Sequence, residues 1–448
     1  MHGKQQFCNS LFGIISHAAT AALAMAFVLA LAVMLTLAAQ AQTFKVLYNF
    51  TGSRDGGWPD AGLTMDQAGN LYGTTNAGGN PGCGYNLGCG TVFKLSHKGS
   101  GWVLTSLHSF QAEPGNDEGA YPAARVIFGP DGTLYGTTSG GGNYNCANGC
   151  GTVFNLKPPP RACTAALCPW TETVLYRFTG GGDGAVPVGD LIFDRGGNLY
   201  GAANIGGVGG CAGRNGCGVI YELTPSKGAW RETVLYSFTG GSAGCWPNGG
   251  VIFDQGGNLY GVTAACGALG QGTVYQLTPS GSDDWTENTL FDFQGEYGTS
   301  AIGSLVFDVY GNLFGATQND TINQPWYPGT LFEIAVSNNH WTLEYHYDFS
   351  RQFPHAGVTM DAAGNLYGEA DGDRSDNYGE VYQLTPQNGG WSFRTLHTFP
   401  IGGDGQPGPD GGSPDGPVVI DSSGNIYGTC SVGGAGRGEW GTVWEITH

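Results

Sequence analysis

The chain has 448 residues, with 81 Gly, 22 Pro, only 12% charged residues and a formal charge of −19. Ordinary globular domains carry about 7% Gly and about 25% charge, so long helical bundles and coiled coils are excluded. The 40% hydrophobic and 12% aromatic content also excludes a disordered chain, and the acid excess disfavours nucleic acid or an anionic membrane as partner, leaving a cation or a neutral polymer.

In chain order, the first element is the apolar run Ala18 to Ala39, preceded by Lys4 and followed by Ala39-Gln40-Ala41, whose small residues suit a signal peptidase. Residues 1–41 therefore read as a secretory signal; the alternative is an uncleaved anchor, because a run of this length also spans a bilayer. Either way residues 42–448 are expected outside the cytoplasm, secreted or periplasmic, as a single domain. Cysteine usage points the same way. Beyond Cys8, close pairs occur at Cys83/Cys89, Cys146/Cys150, Cys163/Cys168 and Cys211/Cys217, which in an oxidising compartment read as disulfides. Zinc is disfavoured, since no pair has knuckle spacing and no His pattern accompanies them. Cys245 and Cys266 would meet within one repeat, leaving Cys430 odd.

From residue 44 onward the chain is a repeat. Gly-Asn-Leu-Tyr-Gly or a close variant begins at Gly69, Gly132, Gly197, Gly257, Gly311, Gly364 and Gly424. Each copy lies within four short segments rich in β-branched and aromatic residues and bounded by Gly, Asn, Asp or Pro, which read as strands A to D. Strand A is of the Leu191 to Asp194 type, B is Asn-Leu-Tyr-Gly with its following small residues, C is Gly-Thr-Val-Phe, and D runs from Trp to Phe as in Trp170 to Phe178. Asp-x-x-Gly-Asn joins A to B as a tight turn. The predicted fold is all-β: a seven-bladed β-propeller with four antiparallel strands per blade. Phe44 to Phe50 is a D-type strand with no A, B or C before it, and Gly441 to Ile446 is a C-type strand with no D after it. The N-terminal strand is therefore expected to complete the last blade.

With Phe178-Thr179-Gly180-Gly181, Gly69 to Thr75 and Gly90 to Phe93 in view, residues 44–448 resemble the tandem GloVer (Gloeo/Verruco) repeat family of secreted bacterial proteins. The resemblance implies a repeat architecture and export, and carries no activity, substrate or catalytic residue. The layout is also similar to NHL-type propellers, an analogy of fold only.

Repetition separates scaffold from candidate site. Trp102, Trp170, Trp230, Trp285, Trp341 and Trp391 open D strands and Trp444 takes a position held elsewhere by Phe or Tyr, so these are packing residues. Trp58, Trp246, Trp326 and Trp440 fall in D-to-A or B-to-C loops, which share one face of a propeller with three of the cysteine pairs and with Tyr85, Tyr144, Tyr327 and Tyr378. Such rings would suit stacking on sugars; the alternative for Trp58 and Trp246, each followed by Pro, is capping of sheet ends. At the channel mouth, just before strand A, the equivalent residues are Asp60, Ala123, Val188, Asn248, Ile302, His355 and Asp415. The titratable ones come from blades that adjoin once the ring closes. Glu369 breaks its register, and Asp371 follows it. This set would bind a cation or do acid–base work, the alternative being a solvated acidic rim. Arg125 and Asp190 are expected to form a structural pair. Asp371, Asp373 and Asp376 are weak metal candidates, since the run departs from the EF-hand pattern. No cofactor is called for, with calcium the ion that the oxygen-rich part would suit. No Gly-x-Ser-x-Gly, His-Glu-x-x-His or P-loop occurs. The leading functional reading is a non-catalytic module binding a glycan or surface partner through the disulfide-stiffened face. The alternatives are a carbohydrate-active hydrolase or lyase using Asp60, His355, Glu369 and Asp415, and a structural envelope component.

Overall fold

The computed structural model describes residues 42–447 apart from 84–86, 112–117, 160–168, 212–215, 282–283, 320–328, 338–339 and 436–438. The signal-like segment, Cys163, Cys168, Tyr85, Trp326 and Tyr327 lie outside the described residues. Among those described there is no α-helix, and no helix is long and apolar enough to cross a membrane. The compact unit Phe44–Ile446 holds the repeats.

Turn chemistry builds each repeat. In the first A–B turn, Asp66 Oδ1 accepts the amides of Ala68 and Asn70, while Oδ2 accepts Asn70 Nδ2 and the Tyr72 hydroxyl. The turn glycine has positive φ in all seven copies, from 75° at Gly132 to 88° at Gly311, a region closed to most L-residues. The glycine of Leu-Tyr-Gly answers a packing demand instead. A Cβ on Gly73, Gly201, Gly368 or Gly428 would run into the strand-C ring of Phe93, Tyr221, Tyr382 or Trp444.

The strands pair antiparallel into seven blade sheets, as in blade 3, where Ala185–Phe193, Leu199–Ile205, Val219–Ser226 and Ala229–Ser237 follow one another across the sheet. Strand A is split in blades 4 and 6, at Cys245–Pro247 with Ile252–Phe253 and at Gln352–Phe353 with Thr359–Met360. Blade 7 runs Val419–Ile420, Ile426–Cys430, Thr442–Thr447 and then Thr43–Asn49. The ring is thus a seven-bladed β-propeller closed by its N-terminal strand.

The core lies between blades. Phe50, Leu63, Leu71, Phe93 and Leu95 pack with Tyr427 and Val443 of blade 7 to form one of seven interblade clusters. The phenylalanine ending five of the D strands meets the strand-C ring of the next blade edge to face, Phe50–Phe93, Phe110–Phe154, Phe178–Tyr221, Phe238–Tyr275 and Phe293–Phe332 all having centroids 5.1–5.2 Å apart, while Phe349–Tyr382 and Phe399–Trp444 are tilted. Such contacts add about 0.5–1.5 kcal/mol each beyond buried area, and they explain why the D segments end in Phe. Disulfides join Cys83–Cys89, Cys146–Cys150, Cys211–Cys217 and Cys245–Cys266, while Cys430 is a buried free thiol.

Candidate functional site at the channel mouth

A left-handed residue recurs at or just before the start of strand A: Trp58, Tyr121, Val186, Trp246, Ser300 and Ser413 have φ between 48° and 59°. Its amide donates to the carbonyl of the residue that precedes the previous blade's C strand, as in Trp58 to Trp440, Tyr121 to Cys89, Val186 to Cys150, Trp246 to Cys217 and Ser413 to Tyr378, at 2.8–2.9 Å. This interblade bond fixes where the chain turns inward. Two residues after the left-handed one come Asp60, Ala123, Val188, Asn248, Ile302 and Asp415, and with His355 at the equivalent position of blade 6, where Phe353 is not left-handed, they line a channel of about 590 Å³.

The channel wall is two-sided. Over blades 2 and 3, Arg125 Nε donates to Asp190 Oδ2 at 2.8 Å and the Arg125 amide donates to Asp190 Oδ1, which is the pair expected from sequence. Over blades 6, 7 and 1, His355 Nδ1 lies 3.4 Å from Asp415 Oδ1, and His355 Nε2 lies 3.5 Å from Gln318 Nε2. Asp371 joins them: one ligand atom each from His355, Asp371 and Asp415 falls within 4.8 Å of the others. Glu369 is only 1% exposed; its Oε2 accepts the Gly416 amide at 3.2 Å and its Oε1 has no hydrogen-bond partner. The Cys430 thiol, fully buried, is pushed up first by burial and then by the charge of Glu369.

Burial dominates the electrostatics of this arc. It pushes Asp415 up to about 6, against the pull of the His355 charge. Burial, followed by the charge of Asp415, lifts Asp60 and Glu369 well above the carboxylate range. Burial likewise raises Asp371, against the opposing influence of His355 and Arg374. A His beside carboxylates on a channel wall can accept hydrogen bonds from hydroxyls, exchange protons or ligate a cation.

The other sequence candidates separate from this arc. Asp371 does not form a set with Asp373 and Asp376; those two pair with Arg351 Nη1 at 3.4 and 2.8 Å on the surface, because Asp371 belongs to the buried strand Leu366–Gly372 and they follow it. Trp58, Trp246 and Trp440 are half-buried. Trp58 and Trp440 stack on each other with centroids 5.4 Å apart, and Trp246 packs against the core between blades 3 and 4. Trp440 is in register after all: it holds the position of Cys89, Cys150 and Cys217, and covers Gly52 much as Cys146 and Cys150 cover Gly180. Tyr378, in that same position in blade 6, is buried and donates to the Gly405 carbonyl, whereas Tyr144 is 47% exposed. Sequence reasoning placed Asp371 both in this channel-mouth set and in a run with Asp373 and Asp376; the structure puts it with His355 and Asp415, and the i, i+2 alternation of a strand puts it on the same side as Glu369.

Residues 32–213 and 171–368 match the Gloeobacter/Verrucomicrobia repeat. No curated protein matches the chain. Among solved structures, a candidate 6-phosphogluconolactonase from Bacteroides fragilis is 14% identical with a TM-score of 0.48, covering 83% of this chain and 88% of its own. A similar candidate from Bacteroides uniformis is 14% identical with a TM-score of 0.46, covering 76% and 87%. An ulvan lyase, solved bound to a -[GlcA(1-4)Rha3S]- unit, is 12% identical with a TM-score of 0.43, covering 77% and 86%. These likenesses concern the fold, and no activity is carried over from them.

Proposed function

The chain belongs to the Gloeobacter/Verrucomicrobia repeat family, and from that premise we propose that it is an extracytoplasmic binding propeller whose ligand is held in the channel by Asp60, His355 and Asp415. The observation that carries this reading is the asymmetry of the channel wall. Seven equivalent positions face the channel, and the three titratable ones adjoin across blades 6, 7 and 1 while the rest are Ala123, Val188, Asn248 and Ile302. A scaffold requirement would repeat; this arc does not. Carboxylates and an imidazole accept hydroxyl protons, and the chain's charge of −19 repels polyanions, so the ligand class is a neutral or amino-bearing saccharide. Four disulfides support a site of action outside the cytoplasm.

The test is a glycan array followed by calorimetry on the hits. Affinity is expected to fall at least about tenfold, or about 1.4 kcal/mol, in Asp415→Asn and His355→Ala, and to stay within about twofold in Trp246→Ala. Retention of binding in both channel variants, or no saccharide bound at all, refutes the reading. The second reading is hydrolase or lyase chemistry at the same arc, favoured by the imidazole standing beside a carboxylate on an open wall. Turnover that both channel variants abolish, with the fold intact, would establish it.

A further inference from the structure

Beyond saccharide binding, we propose that His355, Asp371 and Asp415 form a site for a divalent metal ion of the manganese or zinc type in the channel wall. The proposal stands apart from the ligand reading. It begins with geometry: three potential donor atoms, one per side chain, lie within 4.8 Å of one another. The separation of 3.4 Å between His355 Nδ1 and Asp415 Oδ1 is too long for a charge-assisted hydrogen bond of about 2.7–2.9 Å. It matches the edge of a tetrahedron with bonds of about 2.1 Å, which is about 3.4 Å. The two atoms are placed as neighbours that share an ion, not a proton.

The second observation is unmet polar capacity behind the triad. Asp415 Oδ1 is shut off from solvent and has no hydrogen-bond partner. Glu369, 1% exposed, holds its Oε2 on the amide of Gly416, next to Asp415, and its Oε1 is likewise without a hydrogen bond. Buried oxygens in this state cost free energy unless a donor or a cation satisfies them. The groups facing them are themselves acidic: Asp60 from blade 1, Glu369 and Asp371 from blade 6, and the Cys430 thiol from blade 7. Positive charge reaches Asp371 and Asp415 from His355 and from Arg374, and Arg374 is solvent-exposed and therefore screened.

Donor chemistry selects the ion class. Calcium and magnesium take oxygen donors alone, whereas one imidazole with two carboxylates suits manganese or zinc. Asp373 and Asp376 are not part of the set, since Arg351 holds them at the surface. His355 and Asp415 both line the channel, so an ion held there is reached from it.

The experiment uses tag-free protein stripped with chelator and titrated calorimetrically with Mn²⁺, Zn²⁺ and Ca²⁺, without saccharide, with metal content measured after dialysis. The expected result is one equivalent of Mn²⁺ or Zn²⁺ per chain. Binding should be at least about a hundredfold weaker in Asp415→Asn and Asp371→Asn, should be weakened in His355→Gln, and should be unchanged in Asp376→Asn, all with wild-type circular dichroism. His355→Gln replaces any carboxylate variant that fails to fold. No stoichiometric binding overturns the proposal, as does binding that survives these substitutions; a single equivalent of Ca²⁺ alone overturns the ion class and the role of the imidazole. Ion binding without saccharide binding refutes only the preceding reading, and saccharide binding in chelator without ion binding refutes only this one.

Discussion

Two populations of carboxylate in this propeller have opposite surroundings. In the A–B turns, each aspartate sits where the chain reverses and is met by donors from its own repeat. Partial burial works against ionisation of Asp254, but hydrogen bonds from Asn258, Tyr260 and Gly256 outweigh it and hold the carboxyl below its usual range; Asp66, Asp131 and Asp361 behave alike. At the channel arc, burial outweighs the few donors present, the Gly416 amide on Glu369 and Ser431 on Asp415, and Asp60, Glu369 and Asp415 are raised. Acids that stabilise the fold come with their hydrogen bonds supplied, in every copy. Those at the arc occur once and are left wanting, which is how a site differs from a scaffold within one repeating chain.

Breaking a turn acid should have the largest effect. Asp254→Ala removes the acceptor for the Asn258 amide, Asn258 Nδ2 and the Tyr260 hydroxyl, and a loss of about 3 kcal/mol is expected in denaturant unfolding. Next comes the pH profile of chelator-treated protein. Asp415 titrates at about 6 in the folded state against about 3.9 unfolded, so between those values the folded chain binds the extra proton and stability falls as pH rises. The expected loss from pH 4 to pH 7 is about 2 kcal/mol, discounted for partial exposure. Below about pH 4 the sign reverses, because the turn acids lose contributions that require their charge; a flat profile from pH 4 to 7 would contradict the contrast. Glu369→Ala restores the residue type of Ala202 and Ala316 and should stabilise by roughly 1–2 kcal/mol at pH 7, with the gain fading as pH falls. The smallest effect is expected from Trp440→Ala, which loses the stack on Trp58 and about 1 kcal/mol while leaving saccharide affinity within about twofold. A tenfold affinity loss there would move the site to the loop face.

The ring was legible because its determinants are local and repeated: an aspartate that binds its own turn, a glycine with positive φ, and a glycine that clears an aromatic ring. The arc was partly legible for the same reason, since one residue per repeat faces the channel and comparison exposed Asp60, His355 and Asp415. Asp371 carried two readings, one in the channel set and one with Asp373 and Asp376 by nearness in sequence, and strand alternation decides between them by carrying it inward and leaving the other two outside. Trp440 looked out of place because its position is defined by a backbone carbonyl, and the side chain there changes from Cys to Gln, Tyr or Trp between blades. Registers held by backbone bonds leave weak marks in sequence.

The strand Thr43–Asn49 completes the blade that ends with Thr442–Thr447, so the propeller has a seam, and the arc of Asp60, His355 and Asp415 spans the blades beside it. The pairing of Thr43–Asn49 with Thr442–Thr447 joins segments about 400 residues apart, a contact with a high loop-closure cost. Whatever binds across blades 6, 7 and 1 therefore acts as a clasp. By mass action a ligand bound there would favour the closed ring over every form in which the first strand has come away, and occupancy of the channel would then guard against unravelling from that strand.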